Sequence, residues 1–171
     1  TMKSLPLKTV ISEIGGKVLQ GTKDLTVSNF ATKRKRLGQG ALLFDLYPNE
    51  DINPSTKIKN CRCAVVTERP DDFAAIGKNI TLIRVPDISK AYWKFVDFYR
   101  SLFDIPVIGV TGTCGKTTTK EMIKHILSGR LKVNATYKSY NSAFRHLGYL
   151  LSIDDDTQAA VFEMGVAYPG D

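Results

Sequence analysis

The sequence has no long apolar run, few cysteines and only two histidines, and each shortage argues against a class of protein. No run approaches the roughly 20 apolar residues that a helix needs to cross a bilayer, and the first residues lack the apolar core of a secretory signal. Cys61, Cys63 and Cys114 form no C-x-x-C pair, and no histidine cluster completes a zinc site. We therefore expect free thiols in a reducing compartment and a cytoplasmic location.

The overall composition is that of a globular protein, with 43% hydrophobic and 24% charged residues. The net charge is +7, and much of the local excess lies in the basic run of residues 33–36. Such a run is typical of a solvated loop, and an anion site for a phosphorylated ligand is the main alternative. Neither interleaved aromatic residues nor a recognition helix accompanies the run, so we expect no nucleic-acid partner.

Residues 1–103 have the pattern of a small α/β domain. Apolar residues at helical spacing stop at Gly15, which can adopt the left-handed conformation that ends a helix. Four short apolar segments bounded by turn-forming residues are predicted strands, at residues 17–19, 41–44, 64–66 and 81–83. A second helix is predicted to begin at a Ser89 cap and to present a broad aromatic face.

Residues 104–171 have a different pattern and are predicted to form a second, incomplete domain. Residues 106–110 form a short apolar run of the kind found in strands buried on both faces. A glycine-rich loop and a helix follow, and this helix is predicted to turn Met122, Ile123, Ile126 and Leu127 inward. Further strands at 131–133 and 159–162 and a helix at 141–151 complete an alternating order, which indicates a doubly wound parallel sheet. Three strands are few for such a sheet, so we expect the domain to be truncated.

The glycine-rich loop is the strongest motif. It consists of Gly112, Thr113, Cys114, Gly115, Lys116, Thr117 and Thr118. Glycines allow backbone N–H groups to approach phosphate oxygens, and the following helix directs its N-terminus at the same anion. Lys116 would add a positive charge at the terminal phosphates, and the Thr117 hydroxyl would bind Mg²⁺. The loop therefore predicts a bound nucleotide with Mg²⁺.

The spacing of this loop differs from that of most phosphate loops. Val110 stands where the G-x-x-x-x-G-K pattern of P-loop kinases and GTPases has its first glycine, and the guanine-reading N-K-x-D motif is absent. Residues 111–118 instead resemble the T-G-[TS]-x-G-K-[TS]-[TS] loop of the Mur ligase superfamily. The segments at residues 119–122, 163–165 and 169–170 look like those of the branch that adds D-alanyl-D-alanine to a UDP-muramoyl-tripeptide.

This resemblance implies an ATP- and Mg²⁺-dependent ligase of peptidoglycan precursor synthesis, which activates a carboxylate as an acyl-phosphate. It implies catalytic roles for Lys116 and Glu163 and metal binding by Thr117 and Glu163. It also places Asn141 at the nucleotide, although a plain helix cap by Asn141 is an alternative. We expect the 171 residues alone not to turn over, and a non-catalytic nucleotide-binding module is the rival interpretation.

The resemblance further implies that residues 1–103 bind a UDP-sugar. Ala31, Thr32 and Lys33 stand where the family has a D-[ST]-R turn, so the predicted substrate residues are Thr32, Lys33 and Arg34. We expect the acceptor to be a UDP-muramoyl-peptide. Ala31 replaces the acidic residue of the turn, however, and this leaves two alternatives open, a different phosphorylated or acidic compound and no ligand at all. The amine is D-alanyl-D-alanine or a different amine.

Overall fold

A computed structural model describes residues 2–50, 52, 60–136 and 148–164. The chain divides into two compact units, Thr1–Phe98 and Tyr99–Asp171. The division falls within a helix, a few residues before the predicted boundary at residues 103 and 104. Among the helices of the described ranges, none combines the length and the apolar character that a membrane span requires.

In the described residues up to 98, the first unit contains a five-stranded sheet and helices. Its elements are β1 (Leu5–Pro6), α1 (Leu7–Ile14), β2 (Lys17–Gln20), β3 (Thr26–Val27), β4 (Asn29–Ala31), β5 (Ala41–Phe44), β6 (Cys63–Thr67), β7 (Ile80–Arg84) and α2 (Ile88–Ser101). The strand order is β2-β7-β6-β5-β4, with β2 antiparallel to β7 and the other neighbours parallel. Strands β1 and β3 form a separate antiparallel pair. The four predicted strands of this part are therefore confirmed, while the short β1, β3 and β4 were not predicted.

Apolar residues hold this unit together where the sequence pattern places them. Every residue of β5 and β6 is buried. The ring of Phe44 at the end of β5 packs against Tyr92 and Phe95 of α2, with ring centroids 5.4 and 5.0 Å apart. The start of α2 differs from the prediction, because the Lys90 N–H donates to Asp87 Oδ1 over 2.9 Å. Asp87 rather than Ser89 therefore caps the helix.

The second unit contains a parallel sheet beside one long helix. Its elements are β8 (Val107–Val110), α3 (Lys116–Ser128), β9 (Val133–Ala135) and β10 (Ala159–Glu163). In the described ranges the strand order is β8-β10-β9, with β10 in the centre and parallel to both neighbours. Most of the helix predicted at 141–151 lies outside the described residues. Of its described part, residues 148–150 are helical. The prediction of a parallel α/β unit is confirmed.

The predicted inward face of α3 is partly wrong. Met122 and Ile126 are 60% and 72% exposed, whereas Lys120 on the same helix is fully buried. A helix advances by about 100° per residue, so Met122 and Ile126 lie on a different face from Ile123 and Leu127. The four apolar positions therefore span more than the stripe that faces the sheet, and the long side chain of Lys120 occupies part of that stripe.

Candidate functional site

The glycine-rich loop joins the end of β8 to the start of α3, and two of its glycines adopt positive φ. Gly112 has a φ of 145° and Gly115 a φ of 73°, conformations that residues with a Cβ rarely adopt. Gly115 is the N-cap of α3, and among the described residues no side chain caps the helix there. The first turn of the helix, with its positive dipole end, is therefore open to an anionic ligand. The exposed residues Thr113, Cys114 and Thr118 surround this opening.

Lys116, the first residue of α3, lies across the loop. Its ammonium donates a hydrogen bond of 2.7 Å to the carbonyl oxygen of Gly112, in an exposed position. The structure thus places the positive charge beside the loop backbone that would surround a phosphate. An exposed hydrogen bond of this kind exchanges readily with water or a ligand oxygen, since its net free energy is only about 1 kcal/mol.

Thr117 and Glu163 meet at the carboxyl end of the sheet. Glu163 is the last residue of β10 and is only 3% exposed. Its Oε2 accepts a 2.8 Å hydrogen bond from Thr117 Oγ1. Hydroxyl and carboxylate oxygens are the donors that Mg²⁺ takes in proteins, usually one or two of them together with substrate phosphates and water. The pair therefore fits a Mg²⁺ site beside the loop, and the described residues contain no cluster of three metal-binding His, Cys, Asp or Glu side chains.

Two residues of this region were missed as site residues. Thr136 is buried, and its Oγ1 accepts a 3.3 Å hydrogen bond from the backbone N–H of Glu163. Lys120 donates from Nζ to the carbonyl oxygen of Thr136. Thr136 begins the segment 136–142, which resembles a Mur ligase segment with a threonine and an asparagine-rich turn, and this was its signal in the sequence. No signal in the sequence indicates the burial of Lys120. Asn141 lies outside the described residues.

In the first unit, the structure gives Arg34 partners within the protein. Arg34 is 4% exposed, and its guanidinium makes two hydrogen bonds of 2.7 and 2.8 Å to the carboxylate of Asp45. It also donates to Asp72 over 2.7 Å and lies 4.9 Å from the centre of the Phe73 ring. The hydrogen bonds to Asp45 are the main cause that raises the pKa of Arg34. Its proposed role at a substrate stays a prediction. Asp45 directly follows the apolar segment 41–44, so its need for a partner could be inferred, but the sequence does not indicate which cation pairs with it.

The neighbouring Lys33 is half-buried and more accessible than Arg34. Its ammonium lies 3.7 Å from Glu50 Oε1 and 5.8 Å from the centre of the Tyr47 ring. The second carboxylate oxygen of Glu50 is buried and, among the described residues, has no hydrogen-bond partner. Thr32 is also half-buried. This corner of the unit therefore combines a cation, an aromatic ring and a buried acceptor oxygen.

The sequence matches known proteins over both units. Residues 110–171 match the model of the Mur ligase middle domain. The UDP-N-acetylmuramoyl-tripeptide–D-alanyl-D-alanine ligase of Synechocystis sp. is 32% identical over 149 residues, which cover 85% of this chain and 32% of that protein. The ligase of the same name from Bacillus subtilis is 34% identical over 109 residues, 62% of this chain and 22% of the relative. The chain thus spans about a third or less of the length of these curated relatives.

Solved structures share the fold. The UDP-N-acetylmuramoylalanyl-D-glutamyl-2,6-diaminopimelate–D-alanyl-D-alanyl ligase of Acinetobacter baumannii superposes with a TM-score of 0.79 at 23% identity. The alignment covers 99% of this chain and 38% of that one. The MurF ligase of Thermotoga maritima, solved in complex with ADP, gives a TM-score of 0.64 at 24% identity over 84% of this chain and 33% of that one.

Proposed function

We propose that this chain, whose residues 110–171 match the Mur ligase middle domain, binds the nucleotide and the acceptor of an ATP-dependent ligase. The proposed reaction adds D-alanyl-D-alanine to a UDP-muramoyl-tripeptide during peptidoglycan precursor synthesis. The names of the curated relatives support this choice of acceptor and amine. We propose the cytoplasm as the location, as expected from the sequence.

The reaction has two steps. A carboxylate oxygen of the acceptor attacks the γ-phosphorus of ATP, so that ADP leaves and an acyl-phosphate forms. The amine nitrogen of the dipeptide then attacks the acyl carbon and loses a proton, and inorganic phosphate leaves as the amide bond forms. In the first step, negative charge spreads over the transferring phosphoryl group, and the task of the protein is to position and neutralise that charge.

The observation that carries the proposal is the convergence of three groups on one loop. The open N-terminus of α3, the ammonium of Lys116 and the Thr117–Glu163 oxygen pair all lie at the carboxyl end of the parallel sheet. Ligands of open α/β sheets bind at this edge. Lys116 would shift its hydrogen bond from Gly112 to a phosphate oxygen. Thr117 and Glu163 would hold Mg²⁺, which neutralises phosphate charge when bound.

For the acceptor, the cation at Lys33 and the Tyr47 ring support a site for the diphosphate end of a nucleotide sugar. A pyrophosphate gains from an accessible ammonium. The Glu50 oxygen that has no partner among the described residues would take a hydrogen bond from a hydroxyl or N–H donor of the ligand. Arg34 already neutralises Asp45 and Asp72 and has little to offer a ligand. The substrate role therefore rests on Lys33 rather than on the whole basic run.

Thermal unfolding of the 171-residue chain with and without ATP and Mg²⁺ tests the nucleotide site. A ligand that binds only the native state raises the melting temperature. We expect a shift of several degrees for the wild type and for Lys124→Ala, an exposed control on the same helix, and none for Lys116→Ala. If ATP and Mg²⁺ raise the melting temperature of Lys116→Ala as much as that of the wild type, Lys116 does not contribute to nucleotide binding.

Calorimetry with UDP-N-acetylmuramoyl-tripeptide tests the acceptor site. We expect binding by the wild type, weaker binding by Lys33→Glu, and a smaller loss by Lys35→Glu, because Lys35 is exposed and salt at about 0.15 M screens exposed charges. An absence of heat at millimolar ligand, from folded protein, would refute this acceptor.

A further inference from the structure

Lys120 is a fully buried cation that the proposed reaction does not use. It is 0% exposed, although two apolar residues of the same helix, Met122 and Ile126, are exposed. Its Nζ donates to the carbonyl oxygen of Thr136 over 2.5 Å and lies 3.0 Å from Glu121 Oε1. Burying an ammonium costs several kcal/mol unless hydrogen bonds and an opposite charge compensate for it. Packing alone would be served by methionine or leucine, so the hydrogen bond to Thr136 is the feature that needs explanation.

The polar groups of Thr136 bond to the sheet and to helix α3. Its N–H donates to the carbonyl oxygen of Val161 over 3.3 Å. Its Oγ1 accepts from the Glu163 N–H over 3.3 Å, and its carbonyl oxygen accepts from Lys120. Thr136 therefore connects helix α3 to the backbone of Glu163, and the side chain of Glu163 accepts a hydrogen bond from Thr117.

We propose that Lys120 is a positioning residue that, through Thr136, fixes the backbone of Glu163 and so holds its carboxylate against Thr117. Thr117 and Lys120 are three residues apart and hence neighbours on α3. The helix is thus tied to the end of β10 twice, once through the Thr117 side chain and once through Lys120 and Thr136. Two ties restrict both the position and the orientation of the carboxylate, which a metal-binding oxygen requires. The benefit to the reaction rests on the proposed function, whereas the connection itself does not.

Hydrogen exchange of backbone amides in the 171-residue chain tests the connection without any ligand. Lys120→Met and Thr136→Val should each accelerate exchange of the Glu163 amide by up to about tenfold, the effect expected from losing about one hydrogen bond. Thr136→Ser keeps the hydroxyl and should restore protection. Lys124→Met is the matched control, because Lys124 also lies near Glu121 but is 46% exposed. The Ala160 amide, which bonds to Pro106, is the internal reference.

Unchanged exchange at Glu163 in the variants would overturn the proposal, and so would equal acceleration at Ala160, which indicates general destabilisation. If Lys120→Met does not fold, Lys120→Gln, which keeps a polar donor on a shorter side chain, takes its place and should also accelerate exchange of the Glu163 amide. The Thr136 variants test only the part of the connection that runs through the hydroxyl.

A binding experiment tests the consequence for the metal. The affinity for ATP is measured with Mg²⁺ and with EDTA, and the ratio gives the benefit of the metal. We expect Lys120→Met to reduce this ratio as Glu163→Gln does, and the double variant to lose no more than Glu163→Gln alone. Additive losses, or equal weakening with and without Mg²⁺, would show that Lys120 does not act through Glu163. If the wild type binds no ATP, the proposed function fails, and hydrogen exchange still decides the connection.

Discussion

Thr117 and Glu163 are separated by 46 positions in the chain, yet their side-chain oxygens lie 2.8 Å apart. The parallel register explains this proximity, because Glu163 is paired with Val110, the last residue before the loop that leads to Thr117. Glu163 is the last residue of β10 and Thr117 is the second residue of α3, so neither depends on a long loop for its position. The register of β10 therefore positions Glu163, and the start of α3 positions Thr117. No single contiguous motif contains both residues of the candidate metal pair.

The loop glycines should be required for their backbone conformation. A Cβ at Gly115 would meet no atom of the described residues within 4 Å, but the φ of Gly115 is +73°. Gly115→Ala should therefore cost about 1–2 kcal/mol through left-handed strain. Gly129, at the other end of α3, has a φ of −66°, and Gly129→Ala should be neutral or slightly stabilising. Urea unfolding of both variants measures the difference in their free energies of unfolding. Equal free energies would contradict the left-handed conformation of Gly115.

Arg34 should matter for stability far more than its neighbour in the basic run. Arg34→Met leaves the carboxylate of Asp45, itself 3% exposed, without its cation, and removal of one partner of a buried ion pair costs about 3–5 kcal/mol. Arg36 is exposed, so Arg36→Met should change the free energy of unfolding by less than about 0.5 kcal/mol. A stable Arg34→Met protein with weakened substrate binding would instead favour the substrate role predicted from the sequence.

The three thiols should differ in reactivity. Burial raises the pKa of Cys63 to about 12, so it carries almost no thiolate at about pH 8 and should resist alkylation. Cys114 is exposed in the phosphate loop and should be alkylated fastest. ATP with Mg²⁺ should slow that reaction if the loop surrounds the phosphates. Peptide mass spectrometry after timed alkylation measures each site, and labelling of Cys63 before Cys114 would contradict the structure.

Glu121 provides a pH-dependent report on Lys120. The hydrogen bond from Lys120 is the main cause that holds the pKa of Glu121 below its ordinary value of 4.5. Because the folded-state pKa is lowered, the stabilisation is fully present above about pH 4.5 and is lost as the pH falls through the folded-state pKa. Lys120→Met should move the pKa of Glu121 back towards 4.5, as an NMR titration of its carboxyl carbon would show. An unmoved pKa would argue against the pairing.

Much of the fold could be predicted from local pattern. The buried strand Ala41–Phe44 and the helix that ends before Gly15 have apolar spacing and turn residues that leave few alternatives. The phosphate loop could be predicted because its function constrains backbone, charge and hydroxyl within a few consecutive residues. Short pairings such as Leu5–Pro6 with Thr26–Val27 have too few residues for a pattern and form through contacts distant in sequence.

Two charged residues have surroundings that the sequence pattern did not predict, and in both the reason is the burial of a charged side chain. Lys120 and Arg34 are of a type that is almost always exposed, and only their tertiary partners make burial possible. Those partners, Thr136 and Asp45, come from other elements. No local pattern reveals such a pair. Met122 and Ile126 are exposed although an inward face was predicted for them, because helical spacing shows which residues are apolar but not which neighbouring elements cover them.

The central place of β10 also determines which changes in chain length the site tolerates. Side chains alternate between sheet faces, so one residue inserted or deleted within Ala159–Glu163 would turn the Glu163 carboxylate to the opposite face, away from Thr117. Insertions between Thr136 and Ala159 leave the register of β10 with β8 untouched. Related sequences that keep this chemistry should therefore vary in length between β9 and β10. The number of residues from the start of β10 to its final carboxylate should stay constant.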